Sequence, residues 1–374
     1  MSWSGWTRAL PKIVVAVGIG IVIGLAITNP RAIAWFFEKQ AERRLAQQKA
    51  AAALFDGKAL RLILCGTSSP LPDAGRAKSC ALVIAGDRAY VVDTGPESWK
   101  TVALAGIPPA RIAGVLLTHF HSDHIGDLGE FRLQTWIGGR RAPLPVYGGA
   151  GVDQVVDGIN RAYALDDTYR AAHHGPDIAP LAAAPLVAKP FEVGSSDARN
   201  QAQTIIEEDG LKVTAFEVNH APVKPAVGYR FDYGGRSIVI SGDTTKWPNV
   251  VKWSLGADVL LHEAQNQQMR EILARAARTQ DNASIGKIMD DIETYHASPA
   301  DAARVANDAH VRLLVFTHFT PPLASWILEP LFFEGVDAIR PRKGWAVGYD
   351  GMRVDLPLQS DRVDQSSMTT GVFR

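Results

Sequence analysis

The chain has 374 residues, of which 47% are hydrophobic and 21% charged, a composition typical of a globular protein with a sizeable core and not of a disordered one. Its 39 basic and 39 acidic side chains give a formal net charge of zero. A protein that grips long nucleic acid through its phosphates usually carries excess positive charge, so this balance argues against a nucleic-acid substrate. Cys65 and Cys80 are too few for a disulfide framework, and we expect two small buried hydrophobic residues in strands.

The N-terminal thirty residues differ from the rest of the chain. Residues 13–28 contain no charge, and with their apolar flank they approach the roughly 20 residues that a membrane helix needs. Trp3 and Trp6 suit a membrane interface. We therefore predict an uncleaved single-pass anchor, with a cleaved signal peptide or a buried core helix as the alternatives. The short charged stretch before the apolar core favours a periplasmic or otherwise extracytoplasmic catalytic domain over a cytoplasmic one.

Composition divides the chain into four parts. Residues 1–30 are the predicted anchor or signal segment. Residues 31–57 are rich in Ala, Glu, Gln, Lys and Arg, which predicts a helical stalk. Residues 58–358 form the predicted folded domain. Residues 359–374 have no apolar period, which indicates a flexible tail.

Within the folded domain, predicted strands and helices alternate. The strands are predicted at residues 60–65, 80–85, 89–92, 113–117, 145–147, 204–209, 211–218, 227–233, 237–241, 259–262 and 313–317. The helices are predicted at residues 97–106, 127–136, 151–169, 265–278 and 298–309. Each half of the folded domain ends with a predicted strand followed by a histidine, which predicts two sheets sandwiched between helices.

The phrase THFHSDHIGD, residues 118–127, says most about function. It follows a buried strand and places His119, His121, Asp123 and His124 within six residues. A strand followed by a loop dense in such side chains directs several of them to one point. Imidazole nitrogen and carboxylate oxygen suit zinc and similar metals.

Three further candidate ligands follow predicted strands singly. They are His220, Asp243 in the phrase SGDT, and His318 in the phrase FTHF. Each alone is more typical of a capping or turn residue. Together with the histidine-rich loop they make seven ligands, enough for two metal ions.

The order of the phrases GTSSPLPD, VVDTG, THFHSDHIGD, VNHAP, SGDT, LLHEA and FTHF resembles the metallo-β-lactamase superfamily, and most of all its ribonuclease Z and arylsulfatase-like branch. The resemblance covers residues 60–358. It implies an αββα four-layer sandwich, here with an N-terminal transmembrane helix added, and a dinuclear zinc site whose ligands Mn or Fe would also fit.

The resemblance also implies a role for each residue. His119, His121 and His220 would hold one zinc ion; Asp123, His124 and His318 would hold the second, with Asp123 also counted as catalytic; and Asp243 would bridge the two. Asp93 would orient the ligand loop. His296 would be the proton donor to the leaving group, with Glu263 as its partner. His262 is expected to be structural, and His173 and His174 are either a surface pair or part of a substrate entrance.

One departure from the family shapes the predicted substrate. Residues 151–194, where ribonuclease Z proteins carry a basic arm, hold few Lys or Arg here. With the predicted anchor, this favours a membrane-anchored hydrolase of a small ester (a phosphodiester, sulfate ester or lactone) cut by a hydroxide held at the metals. Nucleic acid is then an unexpected partner, and a homodimer is allowed. The alternatives are a ribonuclease Z-like endonuclease and a non-catalytic metal-bound membrane scaffold.

Overall fold

A computed structural model describes residues 29–193 and 201–368 of the chain. In these two ranges no helix combines the length and the apolar composition needed to cross a membrane. The predicted transmembrane helix, residues 13–28, lies outside the described residues. The predictions of a membrane partner, of single-pass anchoring and of an extracytoplasmic location all depended on that helix, and they are corrected to what the described residues show, which is no membrane-spanning helix in residues 29–193 and 201–368.

The described strands form two sheets. The first contains β1 (Ala59–Gly66), β2 (Cys80–Ala85), β3 (Arg88–Val92), β4 (Ile112–Leu116), β5 (Leu144–Gly148), β6 (Leu186–Pro190), β14 (Met352–Pro357) and β15 (Asp364–Ser367). The second contains β7 (Ala202–Glu208), β8 (Leu211–Glu217), β9 (Val227–Tyr233), β10 (Arg236–Ile240), β11 (Val259–Gln265), β12 (Leu313–Thr320) and β13 (Trp345–Val347). Their orders are β15-β14-β1-β2-β3-β4-β5-β6 and β13-β12-β11-β10-β9-β8-β7.

The described helices lie mainly on the outer faces of the sheets. They are α1 (Pro30–Ala52), α2 (Ser98–Leu104), α3 (Ser122–Ile125), α4 (Leu128–Ile137), α5 (Val152–His174), α6 (Pro248–Ser254), α7 (Gln267–Thr279), α8 (Ala283–Asp291), α9 (Pro299–Asp308), α10 (Glu329–Phe332) and α11 (Val336–Ile339). Short 3-10 turns occur at Pro109–Arg111, Leu181–Ala183, Ile292–Thr294, Trp326–Leu328 and Arg342–Gly344.

Strand β1 shows how the layers are built. All eight of its residues are buried. Leu60, Leu62 and Leu64 face the core between the two sheets, where they join apolar residues of the second sheet. Ile63 and Cys65 face the opposite way, into the core beneath the outer helices. A strand covered on both faces is mainly apolar, and the one charged residue of β1, Arg61, is ion-paired with Asp56 and Asp355. The predicted αββα sandwich is confirmed.

Helix α1 contacts the domain through its C-terminal end. The Gln47 side chain donates hydrogen bonds to the carbonyl oxygens of Leu104, at 2.7 Å, and Met368, at 3.1 Å. Ala51 is buried in the same contact. Farther toward the N-terminus, Trp35 and Phe37 remain 60% and 72% exposed.

Two expectations from the sequence are corrected in the first sheet. Residues 364–367, predicted as flexible tail, form β15 and pair antiparallel with β14. An edge strand of this kind needs only backbone pairing on one side, and it carries no apolar pattern to reveal it. The two cysteines are buried, as predicted, but they form a disulfide. The register of β1 against β2 shifts between Leu64 and Gly66, next to Cys80, so the two cysteines lie on neighbouring strands with their Cα atoms 4.9 Å apart.

Candidate metal centre

The candidate site lies where strands of both sheets end. In the first sheet, β4 runs into a loop carrying His119 and His121, and α3 then presents Asp123 and His124. In the second sheet, β10, β11 and β12 are parallel neighbours. Because β8 and β10 each pair antiparallel with β9, β8 runs in the same direction. The C-terminal ends of β8, β10, β11 and β12 therefore lie along the same edge of the sheet.

That edge carries the singly placed residues. His220 and Asp243 follow β8 and β10, and His318 lies near the end of β12 with a left-handed φ of 50°. Gly242, directly before Asp243, also has a positive φ of 61°, and a Cβ there would lie 2.6 Å from the carbonyl oxygen of Val227. The sharp turn at Gly242 requires glycine, and it delivers Asp243 to the cluster.

The seven predicted ligands come together. Among the described residues, five groups have all their ligand atoms within 4.8 Å of one another. Three consist of predicted ligands alone: His119, His121 and His220; Asp123, His124 and His318; and His119, His124 and Asp243. The other two include the predicted proton donor: His220, Asp243 and His296; and Glu263, His296 and His318.

Asp243 is central to the cluster. Its Oδ2 lies 3.5 Å from His124 Nε2, 3.4 Å from His318 Nε2 and 3.8 Å from His220 Nε2. Asp123 Oδ2 lies 3.2 Å from His318 Nε2.

The hydrogen bonds of two histidines indicate a metal. His124 Nε2 and His220 Nε2 are buried, and neither has a hydrogen-bond partner. Their Nδ1 atoms are occupied, in His124 by Asp93 Oδ2 at 2.8 Å and in His220 by the carbonyl oxygen of Tyr295 at 3.0 Å. Such outer partners fix the imidazole so that its other nitrogen faces a metal. The residues present therefore fit a divalent metal ion, for which zinc is a typical choice.

Electrostatics support this use of the histidines. Burial lowers the pKa of His119 and His121 and brings the pKa of His220 to about 4, so these imidazoles stay in the neutral form that metals bind. Burial also acts against protonated His124, but the charges of Asp243 and Asp123 outweigh it and raise the pKa of His124. Burial thus keeps His119, His121 and His220 neutral, whereas the two carboxylates favour a positive charge at His124.

Asp93 supports the ligand loop. Its Oδ1 accepts from the backbone N–H of Thr118 at 2.8 Å, and its Oδ2 accepts from the Thr118 hydroxyl at 2.8 Å and contacts His124 Nδ1. Asp93 itself has a left-handed φ of 60°. A strained backbone with three contacts to the ligand loop is more than a turn aspartate needs.

Glu263 and His296 form a second buried pair beside the cluster. His296 Nδ1 lies 2.9 Å from Glu263 Oε1. The same oxygen accepts from the backbone N–H groups of Thr244, at 3.1 Å, and Ala297, at 3.2 Å. Burial lowers the pKa of His296, but the charge and hydrogen bond of Glu263 outweigh burial and leave the pKa raised. The His296 ring lies 5.2 Å from the His220 ring.

The other predicted histidines lie outside the cluster. His262 is buried, and its Nδ1 lies 2.8 Å from the carbonyl oxygen of Glu263. His173 and His174 end α5, are exposed and contact each other with ring centroids 4.8 Å apart. Neither joins a metal-ligand group among the described residues.

Sequence reasoning missed Tyr295. Its contact with His220 is made by a backbone carbonyl, which leaves no mark in the side-chain pattern. The only available signal was its place directly before His296.

Comparison with known proteins agrees with the fold. Residues 88–319 match the family model described as the Beta-lactamase superfamily domain. A ribonuclease Z of Mycobacterium bovis is 33% identical over 267 residues, which cover 71% of this chain and 87% of that protein. A ribonuclease Z of Mycobacterium marinum is 34% identical over 269 residues, covering 71% and 88%.

Two solved structures share the fold. The metallo-β-lactamase fold protein YhfI of Bacillus subtilis has a TM-score of 0.56 at 19% identity, covering 80% of this chain and 99% of that one. The short form of human tRNase Z has a TM-score of 0.57 at 20% identity, covering 79% and 99%. With a family model that matches more than half of the chain, and with relatives matched over most of their length, the chain belongs to the metallo-β-lactamase superfamily of metal-dependent hydrolases.

Proposed function

We propose that this protein is a ribonuclease Z-like endonuclease that hydrolyses a phosphodiester bond of RNA at a dinuclear zinc site. The observation that carries the proposal is the identity of 33% to a ribonuclease Z over 87% of that relative's length. The expectations of a small ester substrate and of no nucleic-acid partner are corrected by the same finding, which favours the nuclease alternative.

The physical reason for the correction lies in how charge was counted. A net charge of zero is a sum over the whole chain and does not exclude a local positive site. Asp123 and Asp243 are the two carboxylates among the predicted ligands, and their combined negative charge is smaller than the positive charge of two divalent cations. The occupied centre would be positive and would attract a phosphodiester without a basic surface elsewhere.

The distances support a division of the ligands between two ions. His119, His121 and His220 form one compact group, and Asp123, His124 and His318 form another. Asp243 contacts histidines of both, so its carboxylate would serve as the bridge. When bound, the two ions would lower the pKa of a water toward neutrality and polarise a phosphoryl oxygen.

His296 would supply a proton to the ribose oxygen that leaves. Its Nδ1 is engaged by Glu263, so Nε2 is the atom available to donate. Glu263 is itself fixed by two backbone N–H groups, and its charge helps His296 hold the proton. These contacts support the roles of general acid for His296 and of its partner for Glu263.

The test uses the full chain with a 3′-extended tRNA transcript, an unstructured RNA and bis(p-nitrophenyl) phosphate. We expect cleavage of the extended tRNA at a defined position, loss of cleavage with a chelator and recovery with zinc. Hydrolysis of the activated diester without cleavage of either RNA would contradict the nuclease assignment and leave a metal-dependent hydrolase of another substrate.

A further inference from the structure

Tyr295 lies between two residues of the centre. Its ring is tilted against the His220 ring, with centroids 4.5 Å apart, and is stacked on the His296 ring, with centroids 4.6 Å apart and an interplanar angle of 29°. Its carbonyl oxygen accepts the hydrogen bond of His220 Nδ1 at 3.0 Å. One residue therefore contacts both a proposed ligand and the proposed proton donor.

The contacts of His296 show what Tyr295 adds. The bond from His296 Nδ1 to Glu263 holds one edge of the imidazole, but a single hydrogen bond leaves the ring free to tilt about it. The Tyr295 ring stacks on the His296 ring, and the His318 ring is a second neighbour, with centroids 5.7 Å apart and an interplanar angle of 33°. The two neighbours together restrict the plane of the imidazole and so the direction of Nε2.

Tyr295 is itself held by the helical pair α7 and α8. Gln265 donates from its side chain to the carbonyl oxygen of Ile292 at 2.9 Å, and Gln267 donates in the same way to Glu293 at 2.9 Å. Arg270, in α7, donates to the carbonyl oxygen of Met289 at 2.6 Å. The first two bonds tie the end of β11 and the start of α7 to the segment that leads into Tyr295, and the third ties α7 to α8.

We propose that Tyr295 is a positioning residue whose ring fixes the orientation of His296 for proton delivery to the leaving oxygen. The inference rests on the proposed nuclease function. Proton transfer requires the donor within hydrogen-bond reach and in line, and a displacement of about 1 Å in an active site can cost roughly a hundredfold in rate. The aromatic face, and not the hydroxyl, is the part that acts.

The test compares two leaving groups. RNA releases a ribose alkoxide, which needs a proton, whereas bis(p-nitrophenyl) phosphate releases a nitrophenolate, which does not. Tyr295→Phe keeps the ring and the carbonyl oxygen, and Tyr295→Leu keeps the carbonyl oxygen but removes the stacked face. Tyr169→Leu, at an exposed tyrosine on α5, is the matched control.

We expect Tyr295→Leu to lower kcat for RNA by about 10- to 100-fold, with KM, bound metal and hydrolysis of the activated diester close to wild type. Tyr295→Phe, which keeps the stacked ring, should recover most of the RNA cleavage that Tyr295→Leu loses, and Tyr169→Leu should match wild type on both substrates. A purely structural role would instead reduce both reactions together, or reduce bound metal, and would overturn the inference.

Unchanged RNA cleavage in Tyr295→Leu would also overturn the inference while leaving the nuclease function intact. If the wild-type chain does not cleave RNA, the proposed function fails and the inference falls with it. The wild-type measurement thus separates the two failures.

Discussion

The two sheets supply the centre in different ways. The first sheet delivers four ligands within six residues, on one loop and one helical turn after β4. The second delivers His220, Asp243 and His318 from the ends of three separate strands. The loop of the first sheet is therefore a local unit held by Asp93, whereas the second half exists only when β8, β10 and β12 are aligned. The first half is encoded by sequence spacing and the second by topology.

Removing Asp243 should have the largest effect on RNA cleavage, because this carboxylate contacts candidate ligands from both sheets. Asp243→Ala should lower kcat for RNA cleavage by about a thousandfold or more and reduce bound metal, since the contribution of a metal site is several kcal/mol. Steady-state cleavage and metal analysis measure both. The control is Asp361→Ala, in an exposed ion pair with Arg312. Near-normal cleavage by Asp243→Ala would show that the halves work without this bridge.

The proposed proton donor His296 lies in the loop before α9, beside Glu263 of β11, and its role should be separable from metal binding. His296→Gln should lower RNA cleavage by about a hundredfold, within the range for general acids, while bound metal stays at the wild-type level. Hydrolysis of bis(p-nitrophenyl) phosphate should change little. Loss of metal from this variant would identify His296 as a ligand instead.

A matched pair of carboxylate variants compares Asp93, which contacts the candidate ligand His124, with Glu263, which contacts the proposed proton donor His296. Asp93→Asn weakens the contacts to Thr118 and His124, so it should lower metal affinity by about 10- to 100-fold. Glu263→Gln keeps an oxygen for the N–H groups of Thr244 and Ala297, so it should leave metal affinity near wild type and reduce turnover. Competition with a zinc-binding dye measures the affinities. The reverse ranking would mean that Glu263, and not Asp93, supports the ligands.

The smallest effect on activity is expected from the disulfide, which lies in the outer core of the first sheet. It closes a loop with a sequence separation of 15 residues, so the double variant Cys65→Ala/Cys80→Ala should lose about 3 kcal/mol of unfolding free energy. Denaturant unfolding of the variant against the oxidised wild type measures this. Equal midpoints would show that the bond adds no stability, and a large loss of metal affinity would link it to the centre.

The sequence predicts the features that have local signals and misses those that depend on strand topology. The run of buried apolar residues in β1 and the spacing of His119 to His124 are local signals, and both were sufficient for the layers and for the first half of the centre. His220, Asp243 and His318 were candidates because each follows a predicted strand, and the resemblance to a known family then implied which metal ion each would hold. Their convergence depends on strand alignment that no local pattern encodes.

Other features left no usable signal. Residues 186–190, 345–347, 352–357 and 364–367 form strands that were not predicted, and the last of these is an edge strand with alternating exposure. The disulfide depends on a register shift between Leu64 and Gly66. The contact of Tyr295 with His220 is made by the backbone. The small-ester prediction depended on the few Lys and Arg residues in residues 151–194, on the predicted anchor and on the whole-chain charge, and none of these reports the charge of an occupied metal centre.

The most direct test of the account is a zinc titration of the chelator-stripped chain, with RNA cleavage and bound metal measured at each step. We predict no cleavage without metal, and full activity when two ions per chain are bound by the cluster around Asp243. Cleavage at the full rate by the metal-free chain, or a chain that binds no zinc, would contradict it.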